Sequence, residues 1–540
     1  MTEGLQEPQQ AEGGAAQSGD GMVQDTHPDM PSRGYAWYML GVLVLVYILN
    51  FVDRQILSIL ANDIKADLGL DDAQLGFLGG AAFGVFYALF GIPLGRLADN
   101  WHRIRLMTIG LSLWSLMTVL SGFARNFASL GAARFGVGIG EASASPAAFS
   151  LISDYFPKSQ RATALAVYSS GLYLGAGLSL FLGGKIASWW DAAYPGGGPL
   201  GLVGWQGAFV IVGLPGLFLA LWVWTLKEPV RGLSDGFQPT VSPSPFKDFF
   251  AEMMSVIPPF TLLGALSRGG RAFLVNILFA AAMVVSAWLL VHLTGPRNLF
   301  QWGAIALGVY AVFSWAGALK ERSPATFRLI WGTPAFIYTT LGYSFISFTS
   351  YAVSFWAAPY VERTFSISKA EIGLYIGGAS AVGGFLGVIA GGRVADMLRK
   401  SNPSGRIMVI LFGVLAPIIP LLLAMNTSSF AFFSLLYFLM AVFTSMALGA
   451  AAATTQDLVL PHMRGAATAA FFIGTTLIGL GLGPYMVGQV SEMTGSLKTG
   501  ILSLLLVAPL CVLLLILAYR KVPGAEATVL ARAEAAEASR

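Results

Sequence analysis

The stretch Arg134-Phe-Gly-Val-Gly-Ile-Gly-Glu141 lies inside an apolar run from about Phe127 to Ile152. It carries two opposite charges where a membrane-spanning helix ordinarily carries none. Seven residues make about two helical turns, so Arg134 and Glu141 share one face, ~10 Å apart along the axis. A charge near the bilayer centre costs at least ~2.5–3.5 kcal/mol. The intervening Gly136, Gly138 and Gly140 let a second backbone come close. A second charged pair, Asp53-Arg54, stands in the first apolar run. If the two helices are neighbours, four charges converge on one buried spot.

Composition supports that reading. The 540 residues are 55% hydrophobic and only 11% charged, with a mean hydropathy of +0.68. A soluble chain of this length would carry about a quarter charged residues. The single cysteine, Cys511, excludes an internal disulfide framework and a Cys-rich metal site. The net charge of +4 is small and scattered, which argues against a nucleic-acid partner. The chain reads as a polytopic, all-α membrane protein.

Residues 1–33 are polar, with no apolar segment after the first methionine, so a disordered N-terminus without a cleaved signal is expected. Six spans follow within 34–226, near Tyr35–Ala61, Ala73–Ala98, Leu106–Phe123, Phe127–Ser153, Ala162–Trp190 and Gly201–Leu226. Residues 227–271 read as a cytoplasmic linker whose amphipathic piece, Phe246–Met254, lies partly on the membrane surface or forms a soluble connector. Residues 272–328 hold a two-helix hairpin, Ala272–Leu293 and Gln301–Ala318, and a connector. Six more spans fill 329–520, and 521–540 is a cytoplasmic tail. The expected total is fourteen.

An internal repeat divides the chain. Gly95-Arg-Leu-Ala-Asp99 recurs as Gly392-Arg-Val-Ala-Asp396, an offset of 297; Asp154…Pro157…Arg161 recurs as Asp457…Pro461…Arg464, an offset of 303. Parallel duplication into two halves, with the substrate between them, is an established transporter plan. Loops with Arg96, Arg103, Arg105, Lys158, Arg161, Arg393, Arg399, Lys400, Arg406 and Arg464 alternate with loops of balanced charge, so both termini are expected in the cytoplasm.

Gly95-x-Leu-Ala-Asp99-x-x-x-Arg103 resembles the second-to-third loop signature of the major facilitator superfamily, and Leu130-x-x-x-Arg134-x-x-x-Gly138-x-Gly140 its fourth-helix motif. Asn100 departs from the loop signature, which usually has a base there. The fifth helix, with Gly171-x-x-x-Gly175-Ala-Gly177, lacks the proline of the antiporter signature. Asn50-Phe-Val-Asp-Arg54, Gly140-Glu141-Ala142 and Asp154-Tyr-Phe-Pro157…Arg161 resemble the spinster group, which implies transport of sphingosine phosphate or lysophospholipids. Symporters of sugar acids share a similar Asn-x-x-Asp-Arg and Gly-Glu-Ala pattern.

The charged residues suggest a mechanism. Asp53 and Glu141 are candidate proton-coupling acids, since an acid facing Arg stays ionised while one in apolar surroundings takes a proton. Arg134 and Arg54 are candidate anion-binding residues, because a guanidinium is bidentate and always charged. The alternative is a permanently paired network that pins two helices. The second half offers aromatic and hydroxyl residues instead of charges, and Tyr351, Ser354 and Trp356 are candidates to contact substrate. Asp99, Arg103 and Asp396, with Asp154, Arg161, Asp457 and Arg464, are expected to gate the cytoplasmic ends. Gly136-x-Gly138-x-Gly140 lies mid-membrane with no preceding strand, so it reads as helix packing, not as a dinucleotide fingerprint. His102 and His462 have no second ligand in sequence, so no metal or other cofactor is expected besides the proton. The leading expectation is a monomeric, alternating-access, proton-coupled transporter of an anionic amphiphile, fitting a bacterial inner membrane. A small-organic-anion symporter and a hydrophobic drug efflux pump are the alternatives; a channel, receptor or enzyme lacks the residues it would need.

Overall fold

The computed structural model describes residues 32–232 and 242–538. Most of the expected disordered N-terminus lies outside them. The first half comprises α1 (Arg33–Leu68), α2 (Asp72–Gly79), α3 (Ala81–Asn100), α4 (Arg103–Ser121), α5 (Phe127–Glu141), α6 (Ala144–Tyr155), α7 (Lys158–Ala193) and α8 (Gly204–Trp224). Between the halves run α9 (Pro245–Val256), α10 (Phe260–Ser267), the hairpin α11 (Gly270–Thr294) and α12 (Leu299–Arg322), and α13 (Pro324–Trp331). The second half comprises α14 (Pro334–Thr364), α15 (Lys369–Ser401), α16 (Gly405–Leu415), α17 (Ile418–Ala424), α18 (Phe430–Asp457), α19 (Arg464–Gly474), a π-helical segment (Thr475–Leu480), α20 (Gly481–Thr494), α21 (Leu497–Leu502) and α22 (Ala508–Ala527). A last helix, α23 (Val529–Ala538), packs back against α13.

Helix ends follow local chemistry. Asp71 with Gln74, Asn126 with Ser129 and Ser368 with Glu371 form capping boxes that satisfy the free N–H groups opening α2, α5 and α15. Gly69 ends α1 in the left-handed conformation, at φ 63°. Glycines of α5 let its neighbours come close. A Cβ on Gly138 would lie 2.5 Å from the Phe83 carbonyl of α3, and one on Gly140 would lie 2.8 Å from the Gly110 carbonyl of α4. The glycines of the opening stretch therefore serve helix packing.

Twelve helical stretches are long and apolar enough to cross a membrane, and the α9–α10 pair, bent by 99°, would make thirteen if it were one span. Length and apolarity do not establish the fourteen expected. The two expected spans outside that count, α5–α6 and α14, are both present as helices. The first is split at Ala142–Ser143 and carries Arg134, Glu141 and Asp154, while α14 is rich in Ser, Thr and Tyr. Both are heavily buried inside the bundles, so neither needs an apolar face towards lipid. The amphipathic linker piece, α9, packs on α3 and α12.

Candidate functional site

Between the halves lies a cavity of about 1270 Å³, lined by α1, α3 and α7 on one side and by α14, α18 and α19 on the other. At one end it reaches Arg96, Asp99, Asp248, Glu252 and Arg322, on the face where the described chain begins and ends. We call this the base face.

The charged residues of α1 and α5 meet at the inner end of the cavity. The Arg54 guanidinium donates to Glu141 Oε2 through Nη2 at 2.7 Å and Nε at 3.2 Å, and Nη2 also reaches Asn50 Oδ1 at 3.4 Å. The rings of Phe51, Phe83 and Tyr87 surround it at 4.5, 4.4 and 5.0 Å. Arg54 lines the cavity; Asp53, Arg134 and Glu141 lie behind the wall, each no more than 1% exposed. Arg134 donates to two main-chain carbonyls of α1, Asp53 O at 3.1 Å and Arg54 O at 3.2 Å. Asp53 turns towards Trp114 and Thr118 of α4. Among the described residues, Asp53 Oδ1, Glu141 Oε1 and Arg134 Nε have no hydrogen-bond partner.

The structure thus brings all four charges together and assigns them different tasks. Arg134 clasps the backbone of α1, and Arg54 presents its charge to the cavity. Adjacent residues on a helix point about 100° apart, which sends Asp53 towards α4 while the long Arg54 side chain reaches Glu141.

Across the cavity, Tyr351 and Ser354 line the wall with Tyr343, Ser347, Thr444 and Ser445. Trp356 does not. It is fully buried, and its indole N–H donates to Pro484 O at 2.8 Å. Its side chain ties α14 to α20 within the second half.

The residues expected to gate the base lie in two clusters. Arg103 is fully buried, pairs with Asp154, and bonds Glu228 at 2.7 Å and Pro229 O at 3.0 Å. Arg161 donates to Ser153 O at 2.8 Å. In the second half Asp457 pairs with Arg406, which also lies 3.7 Å from Asp396. Asp99 and Arg464 are exposed. The partners of Asp154 and Asp457 are therefore Arg103 and Arg406 at the start of the neighbouring helix.

The far end of the cavity is closed by charges that the sequence reading treated only as balanced loop residues. Arg363 makes a two-pronged contact with Asp72, at 2.8 and 2.9 Å, and Asp72 also accepts from Lys65 at 2.6 Å and Ser491 at 2.7 Å. Asn62 donates to Glu362 at 2.6 Å, and Lys369 pairs with Asp63. Ser58 donates to Phe355 O at 2.6 Å. The repeat offset held the missed signal. Asn62 and Glu362 are 300 positions apart, and Ser58 and Phe355 297; equivalent positions meet where the halves touch near their symmetry axis.

A family model of the Major Facilitator Superfamily matches residues 43–361 and 344–539. The chain belongs to the major facilitator superfamily. As a member it is a membrane transporter and not an enzyme. It is 28% identical over 474 residues to an MFS-type efflux pump of Mycolicibacterium smegmatis, covering 87% of this chain and 88% of that one. It is 26% identical over 474 residues to protein spinster homolog 1 of Xenopus tropicalis, covering 84% and 72%. Its structure matches that of a bacterial homologue of the human lysosomal transporter spinster, in an inward-facing and unoccupied conformation. The TM-score is 0.66 at 25% identity, covering 93% of this chain and 99% of the other. The resemblance of this transporter to spinster proteins thus spans most of its length.

Proposed function

We propose that this transporter moves an anionic amphiphile, of lysophospholipid or sphingosine-phosphate type, by proton-coupled alternating access. The observation that carries the reading is Arg54, a guanidinium at the inner end of a 1270 Å³ cavity whose other walls are largely aromatic and aliphatic. The cavity exceeds the ~300–1,000 Å³ typical of small-molecule sites, which suits a headgroup with a chain. In this reading the headgroup binds Arg54, and the chain runs along Phe345, Ile346, Met440 and Phe472. The basic loops support a cytoplasmic base face, and a cavity formed within one copy supports a monomer.

Coupling follows from the Arg54–Glu141 pair. While Glu141 is ionised it holds Arg54. A proton on Glu141 leaves the guanidinium free for an anionic oxygen; once the anion has departed, Glu141 releases the proton to the water of the open cavity and the pair re-forms. Asp53, whose Oδ1 has no hydrogen-bond partner among the described residues, is a second buried acid for the same cycle.

A second reading has its own observation. Ser145, Ser347, Ser350, Ser354, Ser380, Thr444 and Ser445 line the same cavity and would suit a hydroxylated organic acid. Purified protein in vesicles under an imposed pH gradient separates the two. We expect gradient-driven uptake of a lysophospholipid, lost in both Arg54→Gln and Glu141→Gln. Uptake of a sugar acid alone would establish the second reading. Lipid movement that survives both substitutions would overturn the site.

A further inference from the structure

The segment between the halves has no part in the function above, yet its first helix, α9, has two sharply different faces. Asp248, Ala251 and Glu252 share one face, and all three line the cavity. Phe246, Phe250 and Met254 recur every four residues on the opposite face and are exposed. A helix resting on a protein in water does the reverse: it buries its apolar stripe and gives its charges to solvent. In α9 the charges turn inward, towards a cavity open at the base, and the rings turn outward. The next helix, α10, extends the outward apolar surface with Phe260, Leu263 and Leu266, each at least 44% exposed.

The neighbouring α12 serves as a depth gauge. At its base end, Arg322 Nη1 contacts Glu252 Oε2 of α9 at 2.6 Å. Higher up, the Tyr310 hydroxyl accepts from Thr261 Oγ1 of α10 at 3.1 Å. The helix between Tyr310 and Arg322 rises ~18 Å, about the depth of one leaflet, whose hydrocarbon is ~15 Å thick. At the base, the rings of Trp101 and Phe246 lie 5.2 Å apart, and Phe249 packs on the cluster of Leu97, Ala98 and Leu106. From there α9 climbs, the chain bends by 99° after Val256, and α10 returns Arg268 to within 4.0 Å of Glu321 at the base end of α12.

The bend suits a medium without water. Pro258 and Pro259 have no N–H to satisfy. Ile257 N donates to Met253 O at 2.8 Å, Thr261 N to Ile257 O at 3.3 Å and Leu262 N to Pro259 O at 3.0 Å. Irregular backbone at membrane depth is tolerated where its polar groups are paired or buried in protein, and Ser255, Val256 and Ile257 are buried. Bases gather where α10 turns into α11. Arg271 is exposed there, and Arg268 Nη2 has no hydrogen-bond partner among the described residues. On its other side α10 packs on α11, which leaves Leu278, Val284, Trp288 and Leu293 at least 60% exposed, a surface that faces lipid.

We propose that α9–α10 is a re-entrant element that enters the base-side leaflet and returns to its surface, where Arg268 and Arg271 bind the phosphate of an anionic phospholipid. The acyl chains of that leaflet pack on Phe250, Met254 and Leu263. Two bases at one turn favour an anionic headgroup over a zwitterionic one, by about fivefold per base. The element's insertion does not depend on what the cavity carries.

Phe250→Cys, Leu263→Cys, Val284→Cys and Ser401→Cys, singly on a Cys511→Ser background, carry a bimane label in nanodiscs that contain nitroxide-acyl phospholipid. Quenching at Phe250 and Leu263 is expected within about twofold of that at Val284, and about fivefold above that at Ser401, an exposed residue at the base end of α15. Quenching at Phe250 and Leu263 no greater than at Ser401 would overturn the insertion. Native mass spectrometry then compares phosphatidylglycerol with phosphatidylcholine of the same chains. Arg268→Gln with Arg271→Gln is expected to weaken phosphatidylglycerol binding about 25-fold, while Arg268→Lys with Arg271→Lys retains most of it. Arg54→Gln, which removes the inner charge of the cavity, is expected to leave that binding unchanged. Equal binding of the two lipids, or binding that survives the glutamine pair, would overturn the headgroup site. Loss of phosphatidylglycerol in Arg54→Gln would move the lipid into the cavity and overturn it as well.

Discussion

At the scale of single residues, the site depends on where each guanidinium finds its acceptors. Arg54 has a carboxylate, an amide oxygen and three ring faces. Removing one partner of such a buried pair leaves a desolvated charge, at a cost of about 3–5 kcal/mol, whereas replacing both with apolar groups is nearly neutral. Arg54→Met or Glu141→Met alone should therefore lower the melting temperature strongly, and the double variant should recover most of it while transport stays absent. Arg134 differs, since its partners are carbonyls that cannot be mutated. Arg134→Lys keeps the charge but loses the fork across two carbonyls, a loss of about 1.5–3 kcal/mol by the usual value of a charged hydrogen bond. Thermal unfolding in detergent should show that drop, and a fall in lysophospholipid affinity without it would return Arg134 to the binding site.

At the scale of elements, the opening glycine stretch acts through its neighbours. Gly138 faces backbone, the Phe83 carbonyl, while Gly136 faces the flexible side chain of Met117. A backbone carbonyl cannot move aside without shifting α3, so Gly138→Ala should cost about 1–3 kcal/mol by overpacking. Gly136→Ala has a side chain that can yield and should cost much less. Comparing their melting temperatures tests whether α3 and α5 are as close as they stand here; equal effects would contradict it. The split of α5–α6 at Ala142 also shows why this element does not stand out by length and apolarity: much of it is buried among other helices.

At the scale of the whole molecule, the two ends of the cavity are unequal. The base is open, and the far end is held by Asp72, which takes Arg363, Lys65 and Ser491 together while only 3% of its side chain is exposed. Opening the far end must break these cross-half contacts. Arg363→Ala leaves Asp72 with one fewer partner and removes only contacts of the far-closed state, so it should favour the far-open state about tenfold, or ~1.4 kcal/mol. Spin labels at Ala66→Cys and Ser366→Cys, on the Cys511→Ser background, should report a longer distance population in that variant. An unchanged distribution would remove the cluster from the gate.

Much of this was legible without coordinates. The two-half helical plan follows from apolar runs of bilayer length and from the motif echo at offsets of 297 and 303. The convergence of four charges follows from their cost in lipid, which favours gathering them in one buried polar spot away from the acyl chains. What the sequence could not supply was direction around each helix and contact across the seam. That Arg54 faces the cavity while Arg134 holds carbonyls, that Trp356 serves Pro484, and that far-end loop charges lock the halves all depend on which side chains share a few ångströms. Such neighbours come from packing two bundles together, and hydropathy, which registers burial in lipid and protein alike, carries no record of it.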